Sequence, residues 1–288
     1  LHALPIFGGS AAITTAGELS LGFALDDPPK GWRVEPSAGI KKITSALLAG
    51  EAVALDDPYE LGDWLHNGPA RFAPGAALKL AVSDTADTKA DIILRPQTLA
   101  VGIGCERGAE AEEVAALLNQ VLGSAGLSPL SISCLASIDV KMDEPALRAV
   151  AGRFGLPLRF FDAARLERET PRLATPSDAV FRAVGCHGVA EAAALACAGP
   201  GGKLIVVKTK SARATCAVAR ADAIIHPQAL GRGLGRLTIV GLGPGAAAWR
   251  TPAASAALAR ATDLVGFSDY LDLAEPLAKD QRRHEFAI

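Results

Sequence analysis

The stretch LAVGIGCERGAEAEEVAALLNQVL, residues 99–122, decides the fold. Its first six residues, LAVGIG, are apolar and close on glycine, the pattern of a short strand buried on both faces. After the polar turn CERG the period changes. Val114, Leu117, Leu118 and Val121 fall on one side of a 3.6-residue spiral, so a helix is expected over about 109–122. A strand, a glycine-containing turn and a helix make up the repeating unit of a parallel sheet with helical crossovers.

The same alternation continues downstream. A helix is expected over 143–154, with Asp143 as N-cap and Pro145 in its first turn. LPLRFF (156–161) reads as a strand, 188–198 as a helix, and KLIVVK (203–208) and TCAVAR (215–220) as closing strands. Residues 99–225 are therefore expected to be an α/β domain, a mostly parallel sheet covered by helices, with its ligand site at the strands' carboxyl ends. Upstream, residues 1–98 read as a small αβ region. Asp/Pro/Gly clusters such as DDPPKGW (26–32) and NGPARFAPG (67–75) separate short strands at 11–14, 52–55, 78–82 and 92–94. One helix is expected over 37–48, with Ile40, Ile43, Leu47 and Leu48 on one face. HPQALGRGLGR (226–236) lacks an apolar face and reads as a linker. A third region, 237–288, opens with a strand in LTIVGLGPG and a helix over 251–261, and is too short for a complete domain.

Composition narrows the function classes. The 288 residues are 50% hydrophobic but 5% aromatic, with 29 Gly, as in helices packed on a small-residue sheet. A net charge of −2 gives no overall basic field for nucleic acid, so no nucleic-acid partner is expected. No apolar run reaches the roughly 18 residues that span a bilayer, and no secretory leader is visible, so no membrane association is expected. Five scattered cysteines, without CxxC or Cys/His spacing, predict no bound metal and reduced thiols in the cytoplasm. The chain starts on Leu1 rather than Met, and is read as part of a longer protein.

Four motifs in order, VGIGCERG (101–108), LASIDVKMDE (135–144), GVAEAAAL (188–195) and VVKTKSARATCAVAR (206–220), resemble the carboxyl-terminal domain of the cobalt-precorrin-5A hydrolases and a related stand-alone protein of the aerobic cobalamin pathway. AAITTAGE (11–18), GWRVE (31–35) and AGEAVAL (49–55) resemble the middle region of that family. The family's Gly/His/Ala/Asn-rich stretch before the ITTA strand is missing; only LHALPIFGGS stands there. GRLTIVGLGPG (235–245) and RTPAASAALARATDLVGFSDYL (250–271) resemble the opening of the tetrapyrrole methylases, with YLDL (270–273) most like the precorrin-3B C(17)-methyltransferases. The resemblance implies corrin-ring biosynthesis: opening of a lactone on cobalt-precorrin-5A with release of acetaldehyde, joined to an incomplete S-adenosylmethionine-dependent methyltransferase. Implied partners are a precorrin or cobalt-precorrin tetrapyrrole, other enzymes of the pathway, or a second copy in a homodimer.

Within those motifs the chemistry-bearing residues are few. Gly241, Gly243, Pro244 and Gly245 would bring backbone N–H groups close to S-adenosylmethionine; Pro244 breaks the dinucleotide fingerprint, and a plain turn is the alternative. Arg107, before a helix start, can clamp a substrate carboxylate or pair with Glu106 on the surface. Ser137, Asp139 and Lys141 alternate and, if extended, share a face: Ser137 for substrate, Asp139 as base, Lys141 as charge stabiliser, or Asp139 and Lys141 as a surface pair. Glu191, amid alanines, is either at a solvent edge or in a pocket with a raised pKa suited to a base; it also lies in the first turn of the helix, where the dipole alone would favour it. Lys208, Lys210 and Arg213 cluster at a strand exit, either for anionic substrate groups or as a solvated hairpin tip. His187 reads as a loop residue, and Cys105 lacks an evident His partner. A catalytically silent tetrapyrrole carrier is the competing reading; a nucleotide-binding α/β enzyme is disfavoured by the lack of a GxGxxG or P-loop.

Overall fold

The computed structural model describes residues 20–35, 38–235, 237–244, 246–274 and 281–286. The expected strand at 11–14 and the AAITTAGE motif lie outside these residues. The chain divides into two compact units between Leu234 and Gly235.

In the first unit, β1 (Trp32–Val34), α1 (Gly39–Leu48), β2 (Ala54–Asp56), β3 (Lys79–Val82) and β4 (Ile92–Pro96) come first. Their sheet order is β1-β4-β3-β2, with β2, β3 and β4 parallel and β1 antiparallel at the edge. Ile43 and Leu47 of α1 pack with Trp32, Leu80, Val82, Ile92 and Leu94. Then follow β5 (Leu99–Cys105), α2 (Ala111–Ser124), β6 (Ile132–Ile138), α3 (Pro145–Phe154), β7 (Leu158–Phe161), α4 (Ala163–Glu167), α5 (Asp178–Val184), α6 (Ala190–Ala198), β8 (Lys203–Lys210), β9 (Ala214–Arg220) and β10 (Arg232–Gly233). These strands form a second sheet in the order β10-β7-β6-β5-β9-β8. β5, β6 and β7 are parallel, whereas β9, β8 and β10 join antiparallel. The architecture is α/β, as expected, with parallel strands at the heart of both sheets.

Side-chain size sorts the two faces of the second sheet. Leu99, Val101 and Ile103 of β5 and Val218 of β9 meet the inward faces of α2 and α3. The opposite face is nearly all small: Ala100, Cys134, Ala136 and Ala219, against which α6 lies. Gly102 permits that approach, since a Cβ there would stand 1.8 Å from the Ala190 carbonyl oxygen. All nine residues of α6 are buried, which is why AEAAALACA has no polar face.

Several expected boundaries shift. The strand expected to run through Ser137, Asp139 and Lys141 stops at Ile138, and Asp139–Lys141 is a 3₁₀ turn, so these three side chains do not share an extended face. Glu144, not Asp143, is the N-cap of α3 and makes no side-chain cap bond; Asp143 is held instead by Arg107. Residues 226–234, read as linker, pack on the sheet through β10 and through bonds from Arg159 to the carbonyls of Leu230 and Gly231.

The second unit contains α7 (Pro252–Arg260), β11 (Asp263–Phe267), α8 (Ser268–Asp272) and β12 (Arg282–Phe286), with β11 and β12 parallel. Thr251 caps α7 by accepting a bond from the Ala254 N–H. The strand expected at 237–242 is not formed among the described residues. No ladder partner satisfies its backbone, and Leu237 and Ile239 are 89% and 93% exposed.

Candidate functional site

A cleft of about 510 Å³ opens at the carboxyl ends of β5 and β6 in the first unit. Gly104 and Cys105 end β5, Ile138 ends β6, and Gly188, Val189 and Ala190 bring the start of α6 to its floor. One wall is the cleft side of α5 with Ser177 before it: Ala179, Val180, Ala183 and Val184, all small and apolar. The facing wall is the end of β8 and the turn into β9, carrying Lys208, Lys210 and Arg213, with Lys141 joining from the 3₁₀ turn after β6. An apolar wall thus faces one that carries the cations.

Each cation is held differently. Lys208 Nζ donates to the Thr175 carbonyl at 2.9 Å, so its ammonium bends back over the loop before α5. Lys141 is mostly buried, 3.9 Å from Glu144, whose other oxygen accepts from the Gly108 N–H. Arg213 donates to the carbonyls of Gly108 (2.8 Å) and Arg107 (2.6 Å) and pairs with Glu106 at 3.2 Å, which pins the turn after β5. Glu113 accepts from the Ser211 hydroxyl and the Arg213 N–H, and these bonds hold its carboxyl below the usual range. Lys210 has no ion-pair partner among the described residues, and its charge is available to an incoming anion.

Four of the residues chosen from sequence therefore meet on one cleft: Lys141, Lys208, Lys210 and Arg213. The others do not line it. Arg107 is turned away, paired with Asp143 at 2.9 Å and bonded to the Val140 carbonyl, which also depresses the Asp143 pKa. Ser137 is fully buried and donates to the Ile103 carbonyl at 2.7 Å, tying β6 to β5. Asp139 lies 3.7 Å from Arg232 of β10. Glu191 is 1% exposed, yet it is neither at a solvent edge nor in the raised-pKa state expected of a buried base. Burial raises its pKa, but bonds from the Lys208, Thr175 and Ala174 N–H groups and the Thr175 hydroxyl outweigh that and keep it low. It is a fixed anion that ties α6 to both cleft walls.

His187 is a loop residue, as expected: its Nδ1 is 2.8 Å from Glu167 and its ring stacks on Phe181 at 4.5 Å. Burial pushes the Cys105 thiol up, Lys141 opposing and Glu144 adding to it, so the thiol stays protonated at neutral pH. Sequence reasoning missed the α5 wall. Ser177 before Asp178, with Ala179, Val180, Ala183 and Val184 on one stripe, was the available signal. Among the described residues, no three His, Cys, Asp or Glu side chains gather as for a metal ion, and no helix is long and apolar enough to cross a membrane.

In the second unit, Gly241, Gly243 and Pro244 lie on an open loop; Gly245 lies outside the described residues. A groove of about 350 Å³ there is lined by Leu237, Ile239, Leu258 and Leu264 but not by Gly241, Gly243 or Pro244. Among the described residues, Gly241, Gly243 and Pro244 do not form a pocket for S-adenosylmethionine.

Fold and site together define an α/β domain with a cleft at the carboxyl edge of its six-stranded sheet and charged side chains along one wall. The family model for the cobalamin synthesis G C-terminus matches residues 99–219. A protein named CobE from Sinorhizobium is 51% identical over 121 residues, 42% of this chain and 79% of that protein. The chain belongs to this cobalamin synthesis G C-terminus family. A cobalt-precorrin-5A hydrolase from Priestia megaterium is 28% identical over 229 residues, 72% of this chain and 60% of that enzyme's length. The cobalamin biosynthesis protein CobIJ of Mycobacterium tuberculosis is 50% identical over 50 residues, 17% of this chain and 10% of that protein.

Proposed function

We propose that the cleft of the first unit binds a carboxylate-rich tetrapyrrole of corrin-ring biosynthesis, and that the protein opens the lactone of cobalt-precorrin-5A. One observation carries this reading: cations from separate segments, Lys141 on one and Lys208, Lys210 and Arg213 on the other, converge opposite an apolar wall. A macrocycle has flat apolar faces and a rim of acetate and propionate groups, so it matches both walls at once. The Priestia hydrolase similarity supports the activity. In the reaction, water opens the lactone to a carboxylate and an alcohol while cations stabilise the tetrahedral oxyanion. The alcohol then gives up its O–H proton to form a C=O bond as its carbon–carbon bond to the macrocycle breaks, the pair going to the ring and the two-carbon unit leaving as acetaldehyde. Incubating the protein with the lactone intermediate is expected to liberate acetaldehyde, measured by coupled aldehyde reduction.

A second reading, a tetrapyrrole carrier without catalysis, is favoured by the placement of Asp139 and Glu191. Neither carboxylate lines the cleft. Binding with a spectral shift but no aldehyde would select it. The 50-residue CobIJ match supports a methyltransferase part using S-adenosylmethionine in the same protein. When bound, that cofactor supplies an electrophilic methyl group; no step is assigned to the residues present. The proposed division is 1–98 and 99–225 for the hydrolase-type regions, with 226–234 packed back on the latter, and 237–288 for the start of the methyltransferase.

A further inference from the structure

We infer that Glu106 is the general base of lactone opening, an inference that rests on the hydrolase reading above. The cleft's thiol and its Ser and Thr hydroxyls are already committed. Cys105 stays protonated. The Ser211 hydroxyl donates to Glu113 at 2.5 Å, the Thr215 hydroxyl to the Gly104 carbonyl at 3.3 Å, and Ser177 accepts the Val180 N–H as the cap of α5. Glu106 is the one Asp or Glu among the described residues lining the cleft, and it sits at the carboxyl end of β5 beside Lys141 and Arg213.

Its geometry suits a proton acceptor. Oε2 is 3.2 Å from Arg213 Nε, which orients the carboxylate, while Oε1 has no partner among the described residues. Arg213 directs its two other nitrogens to the Gly108 and Arg107 carbonyls, and both partners of the ion pair are well exposed, so the pair is weakened by solvent. Glu106 is therefore oriented by Arg213 on the cleft wall, and its Oε1 is taken up by no described residue.

The step balances on these groups. Oε1 takes a proton from water as the water oxygen bonds to the lactone carbonyl carbon, and the carbonyl π pair moves onto oxygen near Lys141 and Lys210. That pair then returns, the acyl carbon–oxygen bond breaks, and the departing oxygen takes the proton from Glu106. The products are a carboxylic acid, ionised at neutral pH, and the alcohol.

The test is Glu106→Gln and Glu106→Asp in the full protein, with acetaldehyde release, tetrapyrrole affinity by spectral titration and the pH–rate profile as readouts. Glu106→Gln is expected to slow release by about 100-fold or more while affinity stays within about twofold. Glu106→Asp is expected to keep part of the rate and the acid limb of the profile, which Glu106→Gln loses. Wild-type rates in Glu106→Gln would overturn the inference, and so would a loss accompanied by an equal loss of affinity. A wild-type protein that binds the tetrapyrrole but releases no aldehyde would refute the hydrolase reading itself, and that control separates the two failures.

Discussion

Glu191 carries an ionised carboxylate at the start of a helix otherwise built of alanine, leucine and cysteine, and each of its oxygens is taken up. Oε2 accepts from the Ala174 and Thr175 N–H groups at 2.9 and 3.0 Å, and Oε1 from the Thr175 hydroxyl and the Lys208 N–H, both at 2.9 Å. Charge-assisted bonds of this kind contribute more than neutral ones, and a missing acceptor leaves buried donors unsatisfied. Glu191→Gln keeps the shape but turns an N–H₂ group toward N–H donors, so it is expected to destabilise the first unit by about 2–3 kcal/mol in urea denaturation. The pH dependence has a definite sign. The folded-state pKa lies below the unfolded one, so the stabilisation is complete above the ordinary carboxylate range and is lost as pH falls through the folded value. The wild type is expected to lose stability more steeply below about pH 4.5 than Glu191→Gln. Parallel acid-unfolding curves for the two proteins would refute the anchoring role.

At the scale of elements, the cleft exists because a seven-residue helix with no buried residue, α5, stands across from the β8–β9 turn. It is held by the Ser177 cap, the Phe181–His187 stack, a 3.5 Å approach of His187 to Asp178, the packing of Val184 at its end and the Glu191 bonds to the loop before it. Enlarging a cleft-facing residue should therefore fill the site without touching a core. Ala183→Phe is expected to weaken tetrapyrrole binding by about tenfold or more, with an unchanged melting temperature. Unaltered affinity in spectral titration would mean that the ligand does not lie against α5. Sequence made some of these elements plain and hid others, for physical reasons. The β5-turn-α2 unit was legible because burial on two faces and on one face leave different periodicities. The cations were legible as a cluster in VVKTKSAR. Glu191 was misjudged because its partners are backbone N–H groups from residues 16 and 17 positions away, which no local pattern records. The 139–141 turn was missed because alternation of Ser137, Asp139 and Lys141 mimics a strand, while the ladder ends one residue after Ser137.

At the scale of the molecule, the first unit is two sheets joined by buried polar contacts as much as by chain. Asp84, wholly buried beside the first sheet, pairs with Arg220 at the end of β9 at 2.5 Å, and the guanidinium lies over the Tyr59 ring at 5.2 Å. Ser133 of β6 donates to the Ile225 carbonyl, and the Gln97 carbonyl accepts from the Ile225 N–H, so the chain after β9 is bound back onto both sheets. That return path runs on to Leu234. β10 adds to β7, Arg159 bonds the Leu230 and Gly231 carbonyls, and Gly231 must be glycine at φ +45° because a Cβ would stand 2.4 Å from the Phe160 carbonyl oxygen. Where the unit ends is thus a physical question with a measurable answer. A chain ending at residue 234 is expected to keep the urea midpoint of the first unit, whereas one ending at 225 loses the β10 ladder, the Leu230 contact and the acceptors of Arg159. The shorter chain is expected to be less stable by about 2 kcal/mol. Equal midpoints for the two would mean that residues 226–234 lie on the unit without contributing to its stability, and that a connection in the sense read from the Gly/Arg-rich sequence is the better description.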